Sequence, residues 1–216
     1  DVSVRLTSNQ KQVLTGMVLG DAYLQKTGKR NARIRLEHSS KQKDYMVWKA
    51  SHFPKLFQNV EKPTVLRRYN ETFGKTYEYV RLQSSASPTI GEFRQKFYDE
   101  ISGKKIIPAD ISRLMSKPIS LAVWFLDDGY YYPRDKMAFI YLPNLSEEGF
   151  QLLLNALKHN FDLAPKLKKK KKGWCLSFSV VETRKLMNLI RPHVIDSMAY
   201  KLLDPVSTDR ILTKKD

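Results

Sequence analysis

Two aspartates, Asp21 and Asp128, hold the clearest chemistry in this chain. Each closes an apolar helical run: LTGMVLGDAYL from Leu14 to Leu24, and LAVWFLDDGYYY from Leu121 to Tyr132. Aligning the runs sets Asp21 over Asp128, about half of the 216 residues apart. The chain therefore reads as two related halves, each delivering one carboxylate to a symmetric two-carboxylate site. One acid at the end of an apolar helix, before a turn, is commonplace. Two in register are not.

The elements that must position these acids follow from hydrophobic spacing. Thr7 or Ser8 can cap a helix beginning near Asn9; Val13, Leu14, Met17 and Val18 recur at helical spacing, and the helix should stop close to Ala22. After a loop from Lys26 to Asn31, residues 33–37 alternate strictly. Ile34 and Leu36 share one face of this strand, and Arg33, Arg35 and Glu37 the other. Asp44 to Phe57 reads as an amphipathic helix through Tyr45, Trp48, Phe53 and Leu56, interrupted near Pro54. Residues 65–69 and 77–83 alternate as strands, the second placing Tyr77, Tyr79, Arg81 and Gln83 together, and Ile90 to Ile101 makes a further helix. The second half repeats the order. It has a helix from Ser120 to Asp128, a strand from Lys136 to Leu142, a helix from Ser146 to Phe161 opened by Ser146-Glu147-Glu148, a strand pair from Lys166 to Val181, and a helix from Glu182 to Ile190. Each half thus reads helix, two strands, helix, two strands, helix. The segment from Gly103 to Pro118 is the natural linker between halves 1–108 and 109–216.

Composition narrows the partner. Lys and Arg outnumber Asp and Glu by 38 to 22, a formal charge of +16, which is more than solubility requires and points to a polyanion. No apolar run approaches the roughly 18 residues that span a bilayer, and no basic amphipathic helix dominates, so nucleic acid is favoured over a membrane. Hydrophobic residues, at 42%, suffice for a core. The single Cys175 excludes an intrachain disulfide and a cysteine-based zinc site. With no signal peptide at the start, an intracellular, non-secreted protein of a bacterial cytoplasm or an organelle is expected, and the sequons at Asn70 and Asn144 read as accidental. His38, His52, His159 and His193 lack metal-ligand spacing and are expected as surface or capping residues. Trp48, Trp124 and Trp174 are expected in the core. No glycine loop that would cradle a nucleotide phosphate occurs.

The two runs resemble the paired motifs of the LAGLIDADG homing endonucleases of single-chain type, and the likeness extends through most of the chain. KKIIP from Lys104 to Pro108, SLAVWFLDDG from Ser120 to Gly129, LSEEGFQLLL from Leu145 to Leu154 and MAYKLLDP from Met198 to Pro205 carry it further. The resemblance implies an α+β fold of two pseudo-symmetric αββαββα halves, forming a saddle of antiparallel sheets with the motif helices packed at its centre. Their C-terminal acids then converge on a pseudo-twofold axis. Gly16 and Gly20 offer a small-xxx-small face for close approach, whereas the second helix has Val123 and Asp127 at those positions, leaving Ala122 as its small element.

By the same resemblance, Asp21 and Asp128 are metal ligands, helped by the backbone carbonyls of Gly20 and Asp127. The Asp127 side chain is a poorer candidate, because its counterpart is a glycine. Helix C-termini and carboxylates favour divalent cations. Mg²⁺ is expected, with Mn²⁺ able to substitute and Ca²⁺ supporting binding without cleavage. Such ions suit phosphodiester hydrolysis, one strand for each half. Lys105 and Lys201 match the family's active-site lysines, and Glu37 matches a strand position near the metal in some relatives. Its counterpart in the second half is apolar, near Tyr141 or Leu142.

A two-stranded ribbon can enter the major groove of a long double-stranded target. Arg33, Arg35, Glu37, Arg67, Tyr69, Tyr77, Tyr79, Arg81 and Gln83 are the first-half candidates. In the second half they are Lys168, Lys170 and Lys172, from a basic tract suited to phosphates, with Ser177 and Ser179. The resulting expectation is a monomeric, Mg²⁺-dependent, sequence-specific double-strand DNA endonuclease that initiates homing of an intron or intein. The alternatives are an RNA maturase that binds its host intron RNA, and a cleavage-inactive DNA-binding module. Retention of both acids favours cleavage.

Overall fold

The structure, a computed structural model, describes residues 3–171 and 173–202. Lys172 and the last residues of the MAYKLLDP segment lie outside the described residues. Helix α1 (Ser8–Leu19) opens on a reciprocal cap: the Thr7 hydroxyl accepts from the Gln10 N–H, and the Gln10 side chain accepts from the Thr7 N–H. It ends at Gly20, before the expected Ala22, because β1 (Tyr23–Lys26) starts almost at once. In β2 (Ala32–Ser39), Ala32, Ile34, Leu36 and His38 point into the core.

Helix α2 (Lys43–Ser51) stops well before the expected Phe57. Pro54 accounts for this, since a residue preceding proline is steered away from helical dihedrals. The hairpin β3 (Thr64–Asn70) and β4 (Lys75–Gln83) follows, then α3 (Pro88–Phe97), capped by Ser87. Tyr98 turns extended and bridges to Lys105, which ends α3 short of the expected Ile101. The linker carries one turn of helix, α4 (Ile111–Leu114).

The second half runs α5 (Pro118–Asp128), β5 (Gly129–Tyr132), β6 (Met137–Leu142), α6 (Glu147–Phe161), β7 (Lys166–Lys170), β8 (Gly173–Phe178) and α7 (Val180–Ile190). The last hairpin closes at Phe178, not Val181, because Ser179 caps α7.

Two four-stranded antiparallel sheets result, ordered β1-β2-β4-β3 and β5-β6-β8-β7. The identical order is the pseudo-symmetry expected of the αββαββα halves, and α1 packs on α5 between them. One continuous hydrophobic cluster runs through both halves, including Val13, Met17, Leu121 and Trp124. Polar contacts fasten the linker: the Gln12 side chain donates to Ser116 Oγ and accepts from the Ser116 and Lys117 N–H groups, while Asn160 Nδ2 donates to the Ser112 and Met115 carbonyls. Among the described residues, no helix is long and apolar enough to cross a membrane.

Candidate active site and nucleic-acid interface

Backbone contact sets the separation of the two motif helices. A Cβ on Gly16 would lie 2.4 Å from the Ser120 carbonyl oxygen and 2.8 Å from Val123 Cβ; one on Gly20 would lie 2.5 Å from Asp127 Cβ. Gly16 therefore meets Val123, and Gly20 meets Asp127. These are their own counterparts in the repeat, as a twofold axis requires. The small element of α5 is not Ala122, as expected, but the bare backbone at Ser120, which faces Gly16.

Asp127 and Asp128, although adjacent, occupy different surroundings. The Asp127 side chain is fully buried, and its Oδ1 accepts from Lys49 Nζ at 2.8 Å and Tyr45 OH at 2.9 Å. Its Oδ2 accepts from the Asp21 N–H at 3.1 Å. A carboxylate so neutralised is a brace rather than a ligand. Asp21, with a side chain 45% exposed, and half-buried Asp128 remain open, and Asp128 borders a cleft of about 600 Å³ lined also by Tyr130 and Tyr141. One carboxylate oxygen each from Asp21 and Asp127 and one ring nitrogen of His38 lie within 4.8 Å of one another. Both Asp127 oxygens already accept hydrogen bonds and His38 stands 3.9 Å from Asp21, so the trio is held by packing and by the Asp21 N–H contact to Asp127, with Asp21 as its open member.

The helix-end carbonyls accept from lysines, one for each half. Lys105 Nζ donates to Gly20 O at 2.7 Å; Lys201 Nζ donates to Leu126 O at 2.5 Å and reaches Asp127 O and Gly129 O at 3.3 Å. The carbonyls of Gly20 and Asp127, expected to assist a metal, are here occupied by ammonium groups at the negative ends of the helix dipoles. Burial lowers the pKa of both lysines, against the pull of the nearby aspartates. Burial, then the neighbouring Asp127 charge, raises that of Asp21. Burial and the charges of Asp21 and Asp127 push Asp128 up to about 7. Asp21 is thus among the charges that disfavour ionisation of Asp128, and a divalent cation would offset that charge.

Three residues of this site were not anticipated. Lys49 is fully buried on the inner face of α2, four residues after Tyr45, with its ammonium 4.6 Å from the Tyr45 ring centroid. A lysine falling on the apolar stripe of a predicted helix was the available signal. His38, expected at the surface, is buried with Nδ1 3.9 Å from Asp21 Oδ2, because it falls on the inward register of β2. Burial, then the Lys49 charge, lowers its pKa to about 4, so it is neutral at pH 7.

The sheets sort the remaining candidates. Register places Tyr77, Tyr79, Arg81 and Gln83 of β4 on the face shared with Arg33, Arg35 and Glu37 of β2. Arg67 and Tyr69 fall on the opposite face, Arg67 pairing with Glu78 at 3.3 Å, and Arg68 takes the outer position instead. Two successive arginines had left that face ambiguous in sequence. Glu37 is engaged by arginines. Its Oε1 meets Arg68 Nη1 at 2.5 Å, and its Oε2 accepts from Arg81 Nη2 at 2.7 Å with Arg35 Nη2 at 3.6 Å; these contacts hold its carboxyl at about 2. On the second sheet Lys168 and Lys170 face outward and are exposed. Ser177 shares that face but is only 3% exposed, whereas Ser179 is exposed and its hydroxyl accepts the cap bond of α7.

Comparison with known proteins agrees with this arrangement. A probable intron-encoded endonuclease of Wickerhamomyces canadensis is 28% identical over 207 residues, spanning 92% of this chain and 85% of that protein. The DNA endonuclease I-ChuI of Chlamydomonas applanata is 26% identical over 212 residues, 92% of this chain and 96% of its own. The homing endonuclease I-WcaI, solved bound to its DNA recognition sequence, superposes with a TM-score of 0.79 at 25% identity, covering 93% of this chain and 88% of that one. Residues 11–186 match the LAGLIDADG DNA endonuclease family, and the chain belongs to that family.

Proposed function

We propose that this chain is a sequence-specific double-strand DNA endonuclease of the intron- or intein-associated homing type, acting as a monomer inside a cell, in a bacterial cytoplasm or an organelle. The observation that supports the reading is the pair of open carboxylates, Asp21 and Asp128, at the ends of two abutting helices. The donor set fits Mg²⁺: oxygen ligands only, partly open to solvent, at helix ends that favour cations. Asp21 and Asp128 would hold the ions. When bound, these supply activation of a water and stabilisation of the leaving 3′-oxygen.

The chain's own residues do the rest. Asp127, clamped by Lys49 and Tyr45, holds the Asp21 backbone through its N–H and so fixes the position of the Asp21 carboxylate. Lys105 and Lys201 stand on either side of the site, where their charges can offset that developing on a scissile phosphate. The outer sheet faces supply arginine, glutamine and tyrosine from the first half and lysine from the second, chemistry suited to base edges and phosphates of a major groove.

The test is incubation with a plasmid library carrying randomised sites, in Mg²⁺ and separately in Ca²⁺. Linear product with Mg²⁺, and retained binding without product in Ca²⁺, is expected. Tight binding of host intron RNA with no linear product would instead favour the maturase reading.

A further inference from the structure

We infer that Glu37 is a positioning residue that fixes Arg35, Arg68 and Arg81 for base readout, so that the half-site under the N-terminal sheet carries most of the sequence discrimination. The inference rests on duplex DNA being the partner. Three strands contribute to the cluster: Arg35 and Glu37 from β2, Arg68 from β3, and Arg81 from β4, where Arg81 sits directly opposite Glu37 in register. Arg81 gives Glu37 both its Nε and its Nη2, at 3.0 and 2.7 Å. Its remaining donors are therefore fixed in direction. Arg68 is held twice, by Glu37 and by the Tyr79 ring, whose centroid lies 4.9 Å from its Cζ. The Arg68 side chain is nonetheless 51% exposed. A guanidinium retains free donors after one carboxylate contact, and a fork held in place before binding loses little rotamer entropy on meeting the O6 and N7 atoms of guanine.

Among the described residues, the strands of the second sheet carry no such cluster; the carboxylate-held arginine of that half, Arg134, donates to Asp135 and lies over the Tyr132 ring in the turn between β5 and β6. Among the described residues, no carboxylate pairs with Lys166, Lys168, Lys169 or Lys170, and Lys170 Nζ lies over the Phe139 ring, 3.5 Å from its centroid. Lysines of this kind are flexible point charges. They suit phosphates, contacts that strengthen binding without reading sequence. Glu37 should thus act against its own electrostatics: it weakens general attraction to DNA while sharpening choice.

The experiment selects binders from a randomised double-stranded DNA library in Ca²⁺, then measures affinity for the selected duplex and for every single-base substitution of it. With the unaltered chain, substitutions in the half contacted by the N-terminal sheet should cost more than those in the other half. Glu37→Gln should reduce discrimination at guanine positions of that half about tenfold, raise affinity for scrambled duplex, and leave the melting temperature near that of the parent. Lys168→Gln with Lys170→Gln should weaken all duplexes alike. Equal discrimination in the two halves, or a Glu37→Gln profile matching the parent, overturns this inference alone. Failure of the unaltered chain to prefer any duplex overturns the DNA-binding reading with it.

Discussion

Lys49 and Asp127 form a buried pair that sets the site from beneath, and removing one partner leaves an uncompensated charge in the core. Lys49→Met should cost about 3–5 kcal/mol of folding stability, measured by chemical denaturation. Adding Asp127→Asn to it should recover part of that loss. Asp128 makes the opposite prediction. Its pKa is raised in the folded protein to about 7, so the cost of ionising it grows as pH rises through the ordinary carboxylate range and is fully present above 7. In a chelator, Asp128→Asn should therefore stabilise the protein at pH 8 by about 2–4 kcal/mol. The gain should shrink as pH falls from 7 toward 4 and vanish only below the ordinary carboxylate range, where the acid is protonated in both states; thermal melts across that range read it directly. Asp21, Asp128, Lys105 and Lys201 were legible because each sits in a recognisable motif. Lys49, Tyr45 and His38 were not. Their positions on the apolar stripe of α2 and the inward register of β2 were visible, but the contacts that matter join them to Asp127 and Asp21, far away in sequence.

At the scale of elements, the approach of α1 to α5 is the critical dimension. A Cβ at Gly16 would stand 2.4 Å from the Ser120 carbonyl oxygen, which is backbone and cannot rotate away. Gly16→Ala should push the helices apart, costing about 1–3 kcal/mol. Cleavage should fall by about 100-fold or more, since small misplacement of catalytic groups is expensive. Rate measured beside melting temperature separates the two effects. The two motif helices and the long alternating strands β2 and β4 were readable from periodicity. The edge strands β1 and β5 were counted in the order of each half but not placed, as YLQK and GYYY are too short to show a period. The outer face of β3 was misjudged for a related reason: Arg67 and Arg68 satisfy either register, and only pairing with β4 decides between them.

For the whole molecule, the formal charge of +16 meets two sheets of the same strand order with different side chains. The repeat was visible in sequence through its motifs. The division between an arginine-bearing and a lysine-bearing sheet required the register. Binding to any duplex should fall about 1,000-fold or more between 50 and 200 mM salt, as expected when several phosphates are neutralised, and titration at several ionic strengths would check it. The central claim is that Asp21 and Asp128 jointly hold the cations on which strand scission depends. It is tested most directly by assaying Asp21→Asn and Asp128→Asn separately on a selected plasmid target in Mg²⁺, with duplex binding followed in Ca²⁺. Each variant should keep its grip on the duplex and yield no linear DNA. Linear product from either variant at the parent's rate would contradict the account.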